Sequence, residues 1–167
     1  YRFDAGPSLF TLPHLVDELF ELSGLNPKDY FEYVQLDETC RYFYADGSRL
    51  TAWYDKEKLA SEFEEQLGEP RKNILAALDN STLLYKHLAP LFLEKSLNKV
   101  STWLSPDALS AYGKLNRFDF NRTMNQANQK RFDNPKTAQL FNRYATYNGS
   151  DPYQTPATLN IIPHLEF

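Results

Sequence analysis

Cys40-Arg41-Tyr42-Phe43-Tyr44-Ala45-Asp46-Gly47-Ser48-Arg49-Leu50-Thr51-Ala52-Trp53-Tyr54-Asp55 is the stretch that decides the fold. Cys40–Tyr44 and Leu50–Tyr54 carry the aromatic and β-branched residues that fill strands. Asp46-Gly47 between them tolerates the positive φ of a hairpin turn. Asp55 then caps a helix expected to run to about Leu67 and to stop at Gly68. A hairpin followed by helices, with no alternating βαβ pattern, makes the chain α+β. So small a sheet needs helices on one face to be stable.

Toward the N-terminus, Thr11-Leu12-Pro13 starts a helix with Leu15, Val16, Leu19, Phe20 and Leu22 mostly on one face, closed by Gly24. Asn26-Pro27-Lys28-Asp29 is a turn, and Phe31–Leu36 alternates as a strand would, so the sheet is expected to have two or three strands. Toward the C-terminus, Pro70 opens a helix from Arg71 to about Ala89. Ile74, Leu75, Leu78, Leu84, Tyr85 and Leu88 repeat along it, Asp79-Asn80-Ser81 weakens it, and Pro90 bends or ends it. Ser105-Pro106-Asp107 and Asn134-Pro135 begin two more helices, the second with Leu140, Phe141, Tyr144 and Ala145 on one face and Asn148-Gly149 at its end. Thr155-Pro156 begins a last helical pattern that Pro163 interrupts. The expected fold class is therefore α+β, mainly helical with a small antiparallel sheet.

Composition removes several function classes. The net charge of −4 argues against a general nucleic-acid binder. The basic residues Lys114, Arg117, Arg122, Lys130 and Arg131 read as a solvated helix face broken by Asp119. The lone Cys40 excludes an intramolecular disulfide and a Cys-based zinc site. His14, His87 and His164 are far apart in sequence and form no ligand pair, so no metal site is expected. Glu62, Glu64 and Glu65 read as a solvated face rather than a glycosidase pair. There is no Gly-x-Ser-x-Gly elbow, no Gly-x-Gly-x-x-Gly and no Gly-Lys-Ser/Thr loop, and no catalytic residue is assigned. Aromatic residues make up 15% of the chain, mostly Phe and Tyr, which suits an aromatic-rich core, a large apolar pocket or a membrane-facing rim. Two loops remain as candidate sites: Asp4-Ala5-Gly6-Pro7-Ser8 and Tyr147-Asn148-Gly149-Ser150-Asp151-Pro152-Tyr153.

Those loops carry a family resemblance. Phe3-Asp4-Ala5-Gly6-Pro7-Ser8, followed by Leu9-Phe10-Thr11-Leu12-Pro13 and Asp17-Glu18-Leu19-Phe20, resembles the early-middle part of carotenoid desaturases of the phytoene type. These are FAD-dependent, amine-oxidase-like oxidoreductases. Tyr144–Tyr153, continuing through Pro156-Ala157-Thr158-Leu159-Asn160 to Pro163-His164-Leu165-Glu166, resembles a second hallmark of that family. Phe132-Asp133-Asn134-Pro135 and Leu140-Phe141 fit its spacing, while residues 57–115 resemble it weakly.

The resemblance implies the substrate domain of a two-domain flavoenzyme. Residues 1–12 would link from an FAD-binding domain, 13–148 would bind substrate, and 149–167 would return toward the flavin. Gly6, Pro7 and Ser8 would lie near the flavin ring, and Tyr147, Gly149 and Tyr153 near a channel for an apolar polyene. The implied enzyme introduces double bonds into an acyclic polyene, phytoene or a hydroxycarotenoid. The alternatives are a non-enzymatic lipid- or protein-binding module, or the substrate domain of another flavin oxidoreductase for apolar substrates. Hydrocarbon desaturation relies on the flavin as electron acceptor, so apolar walls matter more than an acid–base pair. Of the ionisable residues near the second motif, Arg143 and Asp151 are expected to be structural. Taken as an internal piece of that enzyme, the chain is expected to hold no FAD and to be inactive alone. It is also expected to self-associate through exposed apolar surface. Leu91-Phe92-Leu93 and Trp103-Leu104, beside Lys95 and Lys99, suggest peripheral membrane contact of a cytoplasmic protein.

Overall fold

The computed structural model describes residues 1, 10–114 and 118–167, and its backbone divides into two compact units, Tyr1–Leu36 and Asp37–Phe167. The loop residues Gly6, Pro7 and Ser8, and Arg117 of the basic stretch, lie outside the described residues.

In the first unit, helix α1 spans Pro13–Leu22 and a single 3-10 turn spans Pro27–Asp29, where the Asn26 side chain accepts from the Lys28 N–H. Phe31–Leu36 is not a strand: it runs without a ladder partner. Its alternation serves packing instead. Phe31 stacks on Phe20, and Tyr33 and Phe31 both meet Phe10, with ring centroids 5.4–6.1 Å apart. A period of two demands an extended backbone with one apolar side, and an aromatic cluster satisfies that without a second strand.

The second unit holds the hairpin. Strands β1 (Glu38–Phe43) and β2 (Arg49–Trp53) pair antiparallel, with Tyr42 opposite Leu50 and Cys40 opposite Ala52. That register puts all four side chains on the core face, where Leu50 and Ala52 are buried. Gly47 adopts φ 86° at the turn, and the Asp46 carboxylate accepts from the Ser48 N–H at 3.1 Å.

Helix α2 (Lys56–Leu67) starts where Asp55 accepts from the Lys58 N–H at 2.7 Å and ends at a left-handed Gly68. Glu62 of α2 is not part of a solvated face. Its carboxylate accepts from the Thr51 N–H at 3.0 Å and from the Trp53 indole at 3.5 Å, satisfying the open edge of β2. Glu64 and Glu65 are exposed as expected.

Helix α3 (Arg71–Phe92) runs through Asp79-Asn80-Ser81 without a break. Buried Ser81 is a docking point: its hydroxyl donates to the Ile161 carbonyl at 2.9 Å and accepts from the His164 N–H at 2.8 Å. Pro90 falls in the last turn, and the helix closes two residues later. Short helices α4 (Val100–Trp103) and α5 (Pro106–Tyr112) follow, the second capped by Ser105.

Helix α6 (Met124–Arg131) carries the end of the basic stretch, in which Lys114 and Lys130 are exposed and Arg122 and Arg131 half-buried. It opens on a reciprocal capping box between Thr123 and Gln126, and it buries Met124, Asn125, Ala127 and Asn128. Helix α7 (Pro135–Asn142) continues as a 3-10 segment, Arg143–Asn148, stopped by Gly149 at φ 68°. A final 3-10 segment, Ala157–Leu165, packs along α3 and absorbs Pro163.

The main core joins the hairpin to α2, α3, α6, α7 and the final segment through residues such as Leu50, Phe63, Ile74, Met124, Phe141 and Tyr144. A smaller core of Leu84, Leu88, Leu91, Ala108, Ala111 and Phe118 lies under the end of α3 and α5, and Ile161 touches both. Glu69, fully buried at the α2–α3 turn, accepts from the Asn134 N–H (2.8 Å), the Asp133 N–H (3.2 Å) and the Asn73 amide (2.7 Å), tying that turn to the start of α7.

Candidate functional site

Helices α6 and α7 leave a groove of about 600 Å³ between them, open along one side. Phe132, Pro135, Ala138 and Pro152 give it apolar walls, and its polar lining includes Asn125, Asn142 and Arg143. The loop after Gly149 forms one rim. The Asn125 N–H donates to the Pro152 carbonyl at 3.0 Å and the Met124 N–H to the Thr155 carbonyl at 2.8 Å, so the free N–H groups at the start of α6 seat this loop. Asp151 shapes it from within, its carboxylate accepting from the Tyr153 N–H at 2.9 Å. Asp151 is thus a turn former, and Tyr153, mostly exposed, stands on the groove's edge.

Two of the lining residues, Asn125 and Asn142, belong to a chain of buried amides that runs on to Asn128. Asn128 Nδ2 donates to Asn142 Oδ1 at 2.9 Å, and Asn142 Nδ2 donates to Asn125 Oδ1 at 2.8 Å. Asn128 Oδ1 is buried without a partner among the described residues.

Beside Arg143, Glu166 is held by three donors, its side chain only 5% exposed. Arg143 Nη2 reaches its two oxygens at 3.0 and 3.1 Å, the Tyr144 hydroxyl donates to it at 3.0 Å, and the Tyr147 hydroxyl donates to its other oxygen. The Arg143 guanidinium lies 4.6 Å from the Tyr144 ring centroid and 5.6 Å from that of Tyr42. Burial pushes the Tyr144, Tyr147 and Tyr42 phenols up, and Glu166 adds to the rise in each. Burial works against the charge on Arg143, but Tyr144, Tyr42 and Glu166 outweigh it, so its pKa is raised. At neutral pH the phenols stay protonated, and those of Tyr144 and Tyr147 donate to Glu166. With its oxygens occupied, Glu166 is a lock that fixes the 3-10 segment against the chain's last residues, not a free base.

Of the residues expected at the substrate, Tyr153 is on the groove, Tyr147 is in the lock, and Gly149 supplies the left-handed turn between them. Arg143 belongs to both groove and lock, matching its expected structural role. His87 and His164 contact Ser110 and Thr82, and no cluster of potential metal ligands occurs among the described residues. Sequence reading missed Glu166, Tyr42 and the three asparagines. Asn125 and Asn128, three residues apart beside Met124 and Ala127, were the available sign of polar groups on a buried helix face.

The described residues do not fit FAD as a cradle. Their sheet is one antiparallel pair, and Gly24, Gly47, Gly68 and Gly149, all at positive φ, close helices or the hairpin rather than opening a helix onto a phosphate.

No family model matches the chain. It is 47% identical to a 1-hydroxycarotenoid 3,4-desaturase of Flavobacterium sp. over 99% of its own length and 34% of that protein's. It is 30% identical to a 4,4'-diapolycopene oxygenase of Methylomonas sp, and 26% identical to a carotenoid 3,4-desaturase of Haloarcula japonica, each over its whole length and 33% of the relative's. The chain spans about a third of the length of the curated relatives it matches.

Proposed function

We propose that this chain, which falls within the carotenoid desaturase family by similarity along 99% of its length, forms the substrate-binding portion of an enzyme that introduces double bonds into an acyclic polyene. The observation that carries this reading is the 47% identity to a relative named for that reaction on a hydroxylated carotenoid. The groove supports it. Its apolar walls suit a hydrocarbon chain, and no acid–base pair is needed, because FAD, when bound, accepts the hydrogens that leave the polyene. In this reading Gly6, Pro7 and Ser8 face the flavin ring, and FAD is held chiefly by sequence outside this chain. Residues 13–148 carry the substrate, with 1–12 and 149–167 as two seams toward the flavin domain.

An insoluble substrate must be drawn from a bilayer, and we place the protein in the cytoplasm, peripheral to the membrane. No described helix is long and apolar enough to cross one. Around α4 and α5, however, Leu93, Val100, Leu104 and Leu109 are each more than 60% exposed, with Lys95 and Lys99 nearby in sequence. Such a surface suits the interfacial layer.

The test is to incubate the full protein carrying this chain with FAD and acyclic carotenoids in liposomes. Each added double bond lengthens the conjugated system, so the expected result is a red-shifted product. Unchanged carotenoid, with FAD bound and the fold intact, overturns the proposal.

A further inference from the structure

We infer that a small cavity between α3, the approach to α6 and the final 3-10 segment binds a singly charged phosphate group through Arg131, Arg122 and Asn80. It shares no lining residue with the α6–α7 groove and does not depend on the polyene reading. The cavity is about 200 Å³, below the roughly 300 Å³ at which sites for drug-sized ligands begin. Five of its seven lining residues are polar or charged: Asn80 on α3, Asp119 and Arg122 ahead of α6, Arg131 at the end of α6, and Asn160 in the final segment. The place suits a small polar group rather than a hydrocarbon.

The charges of the cavity do not balance internally. Asp119, at a left-handed φ of 51°, accepts from Arg122 Nε at 2.8 Å and from Arg122 Nη2 at 2.5 Å, so its carboxylate is committed to one edge of one guanidinium. Arg122 Nη1 is left without a hydrogen bond among the described residues. Arg131 is half-buried, yet it has neither a carboxylate within 4 Å nor a hydrogen-bond partner among the described residues. Burial pushes its pKa down, Asp119 opposes this, and Arg122 pushes it down further. Two guanidiniums thus face one carboxylate, and the positive charge left over sits in a partly desolvated place that an anion would relieve. Asn80 adds an amide without a hydrogen bond among the described residues, inside a helix where Asn is a poor former. Unlike Arg143 Nε, none of these nitrogens is sealed from solvent. Three segments distant in sequence therefore bring unused donors to one cavity. A tetrahedral phosphate offers each an oxygen, whereas a planar carboxylate offers two in all. A phosphodiester or dihydrogen phosphate also carries the single negative charge that the arginines lack.

Free phosphate and a lipid headgroup share this chemistry, so the test carries both. The full protein carrying this chain is titrated calorimetrically at fixed ionic strength in chloride. One ligand is inorganic phosphate at mildly acidic pH, where the singly charged form prevails. The other is a short-chain phosphatidylglycerol below its micellar concentration. Arg131→Met keeps the apolar stem and removes the charge, and Lys130→Met removes the same charge from an exposed neighbour. The expected result is that Arg131→Met weakens binding about tenfold, while Lys130→Met changes it less than about twofold. Asn80→Ala should weaken it by a smaller factor. Phosphate should also raise the melting temperature of the wild type and leave that of Arg131→Met unmoved. Loss confined to phosphatidylglycerol identifies a headgroup site and loss of inorganic phosphate a site for the free anion; either supports the proposal. No binding of either ligand by the wild type, or equal loss in Arg131→Met and Lys130→Met, overturns it and leaves the polyene reading standing. Should Arg131→Met fail to fold, Arg131→Gln takes its place under the same criterion.

Discussion

The hairpin side of the Asp37–Phe167 unit and its α4–α5 corner both carry large apolar side chains and treat them in opposite ways. On the hairpin side Leu50, Phe63, Ile74, Phe141 and Tyr144 are each at most 2% exposed. At the corner Leu93, Val100, Leu104 and Leu109 stand 61–75% exposed. The cause is the amount of backbone available. A sheet and several helices enclose the first group, whereas the last turns of α3 and two helices of four and seven residues enclose a smaller set, Leu84, Leu88, Leu91, Phe118 and two alanines. Hydrophobicity thus says what a residue gains from burial, and architecture decides whether the gain is taken. Apolar groups that the fold leaves outside are available to another surface.

The largest expected effect sets the two regions directly against each other. Phe63→Ala empties a site enclosed by Phe141 and the hairpin and should cost about 3–5 kcal/mol. Leu104→Ala, at a side chain already in water, should stay within about 0.5 kcal/mol. Denaturant titration of both variants measures the gap, and equal losses would break the comparison.

What the sequence made legible was local. Asp55 and Gly68 bracket α2 because the cap and the left-handed stop are made by neighbouring residues. The hairpin was readable for the same reason. Helix α6 was not, because its inward face is Met, Asn, Ala and Asn, and no apolar period marks it. Its burial is decided by the loop at Pro152–Thr155 and by α7, distant in sequence. The segment from Tyr147 to Tyr153 drew notice for its motif, but the groove beside it needs Asn125 from another helix, and Glu166 meets its donors only after the chain has returned. Sites made by long-range closure leave little trace in a local pattern.

An intermediate effect comes from pH and belongs to the hairpin side. Tyr144, Tyr147 and Tyr42 have raised pKa values, chiefly through burial. The unfolded chain releases these protons above about pH 10, while the folded protein keeps them. Their contribution is therefore complete below that pH and is lost as pH rises toward the folded values. Denaturation midpoints should fall above about pH 10, and Tyr144→Phe should make the fall shallower. An unchanged slope in Tyr144→Phe would remove Tyr144 from the account.

The smallest effect on stability is expected at the corner, where it separates two readings of exposed apolar surface. Leu93→Glu with Leu104→Glu adds charge at side chains 62% and 71% exposed, where no packing is broken, so stability should change by less than about 1 kcal/mol. If those side chains enter the interfacial layer of a bilayer, the same pair should abolish sedimentation with vesicles containing anionic lipid, because each buried leucine is replaced by a charge that must stay in water. Phe63→Ala, a core change, should leave vesicle binding of the remaining folded protein intact. The opposite pattern, unfolding by the corner pair with no effect on vesicles, would mean that the corner is core that other parts of the protein cover, and the contrast between the two regions would then be one of assembly rather than of surface chemistry.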